Sequence, residues 1–120
     1  MPAWQEKFKQ EIERANEVRA RGNEGQARVC ARRAAGIAVR EYFARRDVKA
    51  ASPSAYDLLK ELLEMDDLPV DARRAAESLT LRVTEEFKLP VAVDLVQEAL
   101  TLCERLLPEA LNTLPKNEHR

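Results

Sequence analysis

The sequence predicts an all-α protein, a five-helix up-and-down bundle built as one domain. Apolar residues recur at steps of three and four, the spacing that places them on one face of an amphipathic helix. Glycine occurs only three times in 120 residues, whereas a β-sandwich or a barrel needs many more turn residues. The length fits one domain. We expect the bundle to cover residues 1–111 and a flexible polar tail to cover residues 112–120.

Two helices joined by a short turn begin the chain. Apolar residues mark the core face of the first helix: Trp4, Phe8, Ile12, Ala15 and Val18. Gly22 is placed to end this helix, and Asn23 with Gln26 has the pattern of an N-cap and its capping-box partner. The second helix is therefore predicted over about 24–46. Because the link is so short, the two helices should pack antiparallel.

The second predicted helix has an apolar face made mostly of small residues. Its members are Ala27, Cys30, Ala31, Ala34, Ala35, Ala38 and Tyr42. Alanine lets another helix approach closely, and Gly36 costs the helix about 1 kcal/mol in propensity. A glycine kept at that cost indicates either a close helix crossing, which is the favoured interpretation, or a notch that faces a ligand.

Serine and proline breaks separate the remaining three helices. Ser52 or Ser54 caps the third helix, Pro69 begins the fourth, and Pro90 begins the fifth. The core face of the third helix is Tyr56, Leu59, Leu62, Leu63 and Met65. The core face of the fourth helix is Ala72, Ala75, Ala76, Leu79, Val83 and Phe87.

The fifth predicted helix is apolar on most of its sides. Its apolar residues are Val91, Leu95, Val96, Ala99, Leu100, Leu102, Cys103, Leu106 and Leu107. A helix with so broad an apolar face is either central in the bundle or shared with a second subunit. This breadth is the physical reason for expecting a homodimer.

The residue types that catalysis and metal binding need are scarce and scattered. The only histidine, His119, lies in the polar tail, where neither packing nor a second hydrogen bond would hold it for catalysis. Cys30 and Cys103 have no metal-ligand spacing and are typical of small buried hydrophobes. We therefore expect no enzymatic activity, no cofactor and no metal. The chain begins without an apolar leader and has no run of membrane-spanning length, which predicts a cytoplasmic protein.

Charge is distributed unevenly along the chain. Residues 1–50 hold twelve Lys and Arg against seven Asp and Glu, and residues 51–120 hold eight against fourteen. The basic half contributes our candidate ligand- or nucleic-acid-binding residues, two neighbouring stripes on the second helix: Arg28, Arg32, Arg33 and Arg40. Arginine suits phosphate recognition. The alternatives are a solvated helix face, which is favoured, and ion pairs that span a dimer.

The second helix also carries a family resemblance. Residues 22–43, GNEGQARVCARRAAGIAVREYF, resemble the second helix of HEPN-type domains, where a turn of glycine and aspartate or asparagine leads into an alanine-rich helix. Segments 55–65, 75–90 and 93–107 follow in the order of that family's remaining helices. The resemblance implies a compact helical bundle, usually dimeric. Many members are ribonucleases of toxin–antitoxin or defence systems, and others partner minimal nucleotidyltransferases.

The chain departs from the ribonuclease members of that family, which carry an arginine followed after four to six residues by a histidine. Downstream of Arg73, Arg74 and Arg82, the corresponding positions 78–80 and 87–89 hold no histidine. We therefore expect a non-catalytic HEPN-like module for protein interaction or dimerisation, as a homodimer or with a partner such as a minimal nucleotidyltransferase. The alternative is an RNA- or nucleotide-binding protein that uses the arginine stripes; nucleic acid is the less favoured partner.

Overall fold

The computed structural model describes residues 3–81 and 94–110 of the chain. Within these ranges the protein is entirely helical, with five α-helices, one terminal 3₁₀ turn and no strand. The helices are α1 (Ala3–Ala20), α2 (Glu24–Arg45), α3 (Ala55–Leu63), α4 (Val70–Leu79) and α5 (Leu95–Leu106), and the 3₁₀ turn is Pro108–Ala110. The predicted all-α bundle of five helices is confirmed for this part of the chain.

The turn between α1 and α2 forms as the sequence predicts. Gly22 has a φ of 85°, and its N–H donates to the Arg19 carbonyl at 2.9 Å while the Asn23 N–H donates to the Val18 carbonyl at 2.9 Å. This is the Schellman pattern, which satisfies the last carbonyls of a helix. The Asn23 side chain then accepts from the Gln26 N–H at 3.0 Å and caps α2. The Gln26 amide does not complete the capping box, because it donates to the Cys30 sulfur instead, at 3.9 Å.

Replacing Gly22 by alanine should lower the free energy of unfolding by about 1–2 kcal/mol, because an L-residue is disfavoured in the left-handed conformation that Gly22 adopts. Urea unfolding followed by circular dichroism measures the change. Asp47, with a φ of 58° after the end of α2, offers the converse control: Asp47→Gly should stabilise the protein by a few tenths to about 1 kcal/mol. Equal stability of Gly22→Ala and the wild type would contradict the prediction.

Contacts at the helix ends fix the relative directions of α1, α2 and α5. Arg45, at the end of α2, lies over the Trp4 ring near the start of α1, so these two helices are antiparallel. Arg19, at the end of α1, donates to Asp94 at 3.0 Å just before α5. Arg45 also binds Glu109, which follows α5. The end of α5 therefore lies beside the end of α2, and these two helices run in the same direction. Strict up-and-down alternation of five helices would make them antiparallel, so the order of directions differs from the prediction.

Two arginines close the C-terminal ends of α3 and α4. Arg73 donates to the Leu63 carbonyl at 2.8 Å and to the Met65 carbonyl at 2.5 Å. Arg32, from the middle of α2, donates to the Leu79 carbonyl at 2.8 Å and to the Leu81 carbonyl at 2.6 Å. The last carbonyls of a helix lack intrahelical partners, and a cation suits the negative end of the helix dipole. Both guanidinium groups therefore stabilise a helix end, and they join α3 to α4 and α4 to α2.

Two of the predicted helix bounds are wrong. The helix α4 does not continue to Phe87 but ends at Leu79, because Thr80 caps it and Arg32 takes the carbonyls at its end. The helix α5 begins at Leu95 rather than at Pro90, since the Asp94 side chain accepts from the N–H groups of Val96 and Gln97 at 3.0 and 3.3 Å. Several residues named from the sequence lie outside the described ones: Arg82, Val83, Phe87, Pro90, Val91, His119 and the whole tail at 112–120.

The core is shared by all five helices: α2 packs against α1, α5 and α3, and α4 packs against α5. The largest fully buried side chains come from every helix: Phe8, Ile12, Val39, Phe43, Leu58, Leu59, Leu62, Leu79, Leu95, Val96 and Leu102, with Leu107 just after α5. The broad apolar face of α5 is enclosed by its own chain, since each of its buried residues is at most 7% exposed. Of the two predicted arrangements, α5 is the central helix, so its breadth no longer argues for a homodimer.

Both cysteines should be inert in the folded protein. Cys30 and Cys103 are free thiols with no solvent-exposed area, and burial raises the pKa of Cys103 to about 12, so the reactive thiolate is scarce at neutral pH. A thiol reagent such as DTNB should therefore label neither cysteine in native buffer and both in denaturing urea. Rapid labelling of either thiol under native conditions would contradict this expectation.

Candidate functional site

A groove of about 900 Å³ lies between α1, α2 and the start of α3, and we call it the α1–α2–α3 groove. Its size is within the range of ligand-binding clefts. The lining residues are Ala3, Trp4, Lys7, Glu11, Arg33, Gly36, Ile37, Arg40, Glu41, Arg45, Pro53, Ala55 and Leu58.

Helical spacing places these residues along the groove. On α1, Trp4, Lys7 and Glu11 follow at steps of three and four, so they share one face of the helix. On α2, Arg33, Ile37 and Arg40 do the same. The two sets meet across the groove because α1 and α2 are antiparallel.

The floor of the groove is apolar and is made by a close approach of α2 and α3. A Cβ atom built on Gly36 would lie 2.7 Å from the Cβ of Ala55 and 3.0 Å from its Cα, so only glycine fits there. Ile37 and Trp4 pack at the edge of the core and remain partly exposed, and Leu58 is buried beneath. Gly36 therefore lies at a tight helix contact and also lines the groove. The close helix crossing and the notch, which the sequence analysis gave as alternatives, occur at the same residue.

Three cations of the groove have no carboxylate partner among the described residues. Lys7 and Arg33 make no hydrogen bond or ion pair there, and Arg40 donates to the Pro53 carbonyl at 3.1 Å. A neutral carbonyl leaves the charge of Arg40 uncompensated. The groove therefore offers three positive charges around an apolar floor.

The fourth cation of the groove, Arg45, has carboxylate partners. Arg45 donates to Glu41 at 2.9 Å and to Glu109, and it lies 5.9 Å from the Trp4 ring centroid. The hydrogen bond to Glu41 is the main cause that holds the pKa of Arg45 above its ordinary value. This pairing also removes Glu41 as a free charge, so Arg45 closes one end of the groove and adds little net charge to it.

Among the described residues, Glu11 is the one carboxylate of the groove that lacks a partner. Its Oε1 atom is buried and accepts no hydrogen bond from them, although Lys7 lies one turn away on the same helix face. A buried acceptor without a donor costs about 1–3 kcal/mol.

The structure divides the four arginines that the sequence nominates. Arg33 and Arg40 line the groove. Arg32 faces the end of α4, where its hydrogen bonds are internal to the bundle. Arg28 lies outside the groove and makes no hydrogen bond or ion pair with described residues. The two stripes are therefore not one binding surface.

The three groove residues of α1 on which the binding argument depends, Trp4, Lys7 and Glu11, were not nominated from the sequence. Their spacing on α1 was visible, but Trp4 was assigned to the core face alone and the other two were given no role. The missing information is the antiparallel register with α2, because only that register puts them opposite Arg33 and Arg40.

None of the protein-family models, curated proteins or solved structures compared with the chain matches it. The HEPN-like resemblance therefore stays a prediction.

The arrangement of the groove suits binding. Within residues 3–81 and 94–110, no three His, Cys, Asp or Glu side chains are grouped as metal ligands. Among the same residues, none of the helices has both the length and the apolar character needed to cross a bilayer. The groove presents an apolar floor surrounded by three cations that have no carboxylate partner within the same residues.

Proposed function

We propose that this protein is a non-catalytic HEPN-like interaction module that binds an acidic segment of a partner protein in the α1–α2–α3 groove. The observation that supports the proposal is the position of Lys7, Arg33 and Arg40 around the floor formed by Gly36 and Ile37. An amphipathic helix laid in such a groove buries its apolar side and turns its charges to the rim. Complementary charge then sets the association rate and the choice of partner.

Binding of defined peptides tests the proposal. A fluorescein-labelled amphipathic helical peptide with leucines on one side and glutamates on the other should bind saturably in fluorescence anisotropy. The same peptide with lysines for glutamates should not. Arg33→Glu and Arg40→Glu should each lower the affinity for the acidic peptide at least tenfold. Arg28→Glu, a matched change on the same helix outside the groove, should leave the affinity within twofold of the wild-type value. An equal loss of affinity in all three variants, or no binding of the acidic peptide to the wild type, would refute the groove as the binding site.

RNA or nucleotide binding is the second candidate. It is favoured by the two groove arginines without carboxylate partners, since arginine is suited to phosphate, and by the partly exposed Trp4, whose ring offers a surface on which a base can stack. Titration of labelled single-stranded RNA at two salt concentrations tests this. Phosphate contacts predict affinity that falls steeply with salt, and no binding at low salt would exclude it.

The oligomeric state and location belong to the proposal as well. We propose a cytoplasmic homodimer, which the HEPN resemblance implies, with a minimal nucleotidyltransferase as one kind of partner. The two free buried thiols are consistent with a reducing compartment. Multi-angle light scattering at high micromolar concentration tests the oligomeric state. A monodisperse monomer would exclude the homodimer and leave the groove proposal unaffected.

A further inference from the structure

We infer that Glu11 sets the specificity of the α1–α2–α3 groove, by selecting a partner helix that carries a cationic donor, such as lysine, between two acidic residues. The inference rests on the proposed function and adds the order of charges that the partner must present. Its basis is the alternation of charge along the groove itself.

The antiparallel register places Glu11 between cations. Trp4 lies beside Arg45, and Glu11 follows Trp4 by seven residues, so it reaches the level of residue 38 on α2. That level falls between Arg40 on one side and Arg33 on the other. Lys7, one turn before Glu11 on α1, lies nearer the Arg40 end. The groove therefore presents positive, negative and positive charge in that order.

The spacing of this pattern matches one helix. Arg33 and Arg40 are seven residues apart on α2, which is about 10 Å along the helix axis. Acidic residues seven positions apart on a bound helix have the same separation, and a lysine three or four positions after the first lies between them on the same face. From Arg33 to Arg45 the groove extends for about 18 Å, or roughly three turns of such a helix.

The buried oxygen of Glu11 distinguishes this partner from a uniformly acidic one. An unbroken row of carboxylates would place like charge against Glu11, whose Oε1 already lacks a hydrogen-bond donor. A lysine ammonium placed beside this carboxylate in the groove supplies a compensating charge. A single RNA strand repeats negative charge at every nucleotide and carries no cation to place there, so the alternating pattern favours a protein helix over nucleic acid.

Three peptides of equal length and leucine pattern test the inference by fluorescence anisotropy. They carry acidic–basic–acidic, acidic–acidic–acidic and basic–acidic–basic residues at the three rim positions. The wild type should bind the first at least fivefold more tightly than the second and should not bind the third. In Glu11→Gln, which keeps the side-chain shape, the preference for the first over the second should fall below twofold. A thermal melt confirms that this variant is folded.

The outcomes separate this inference from the proposed function. If both acidic peptides bind, depend on Arg33 and Arg40, and keep their affinity ratio in Glu11→Gln, the role of Glu11 is overturned while the groove remains the binding site. If no peptide binds and single-stranded RNA binds in a manner that Arg33→Glu weakens, the inference and the protein partner both fail. Loss of the lysine preference in Glu11→Gln alone supports the inference.

Discussion

Replacing Arg32 by methionine should lower the free energy of unfolding by about 2–3 kcal/mol, the largest effect we expect from a single polar side chain in this protein. The guanidinium group joins the middle of α2 to the end of α4 through the carbonyls of Leu79 and Leu81. Methionine keeps most of the aliphatic stem but donates no hydrogen bond. Two partly buried carbonyls at a helix end then lose a charged donor.

Urea unfolding of three variants isolates this contribution. Arg28→Met, one turn earlier on α2, removes an arginine without a hydrogen bond or ion pair among the described residues, and should change stability by no more than about 0.5 kcal/mol. Arg32→Lys keeps the charge but loses the forked geometry, so an intermediate loss is expected. If Arg32→Met and Arg28→Met unfold at the same urea concentration, Arg32 does not support α4.

Several features of the fold that depend on local sequence were predicted correctly. The end of α1 at Gly22 and the cap of α2 at Asn23 need only residues within one turn, so composition and spacing suffice. Of the two serines that the sequence offers as caps of α3, Ser54 is the one that caps it, and its hydroxyl accepts from the Asp57 N–H at 3.4 Å. The breadth of the α5 apolar face also predicted its burial, although it left open what covers that face.

The end of α4 was missed because it depends on contacts between distant residues. Arg32 reaches carbonyls 47 and 49 residues away, and no helical period shows that an arginine at one position ends a helix at another. The sequence prediction therefore placed the end of α4 too far along the chain. The predicted start of α5 was wrong for a local reason. Pro90 was chosen as the first residue of the helix, whereas the Asp94 carboxylate caps it by accepting from its first N–H groups.

The candidate site was predicted only in part, for the same reason. Arg33 and Arg40 were nominated because arginines on one helix are visible in the sequence, but Arg28 and Arg32 were nominated on equal grounds and lie elsewhere. The groove requires α1, α2 and the start of α3 to meet. Glu11 is distinguished from the other glutamates of α1 only by its buried oxygen, which depends on that meeting.

Replacing Gly36 by alanine should destabilise the protein by about 1–2 kcal/mol, although alanine is the better helix former. The added Cβ would lie 2.7 Å from the Cβ of Ala55, so the start of α3 must shift. Overpacking of this kind costs about 1–3 kcal/mol, and the gain in helix propensity of about 1 kcal/mol offsets only part of it. Because the shift moves one wall of the groove, the affinity for an acidic peptide should fall in the same variant.

A double-mutant cycle separates the steric effect from a general effect of alanine in α2. Ala55→Gly removes the methyl group that the new Cβ meets, so the double variant should be more stable than the sum of the single changes by about 1 kcal/mol. Gly25→Ala is the matched control on the same helix, since its Cβ would meet only the Asn23 Oδ1 atom at 3.9 Å; it should be neutral or slightly stabilising. Additive effects of Gly36→Ala and Ala55→Gly would show that the contact between α2 and α3 tolerates the extra methyl group. The close approach at the floor of the groove would then not require glycine at position 36.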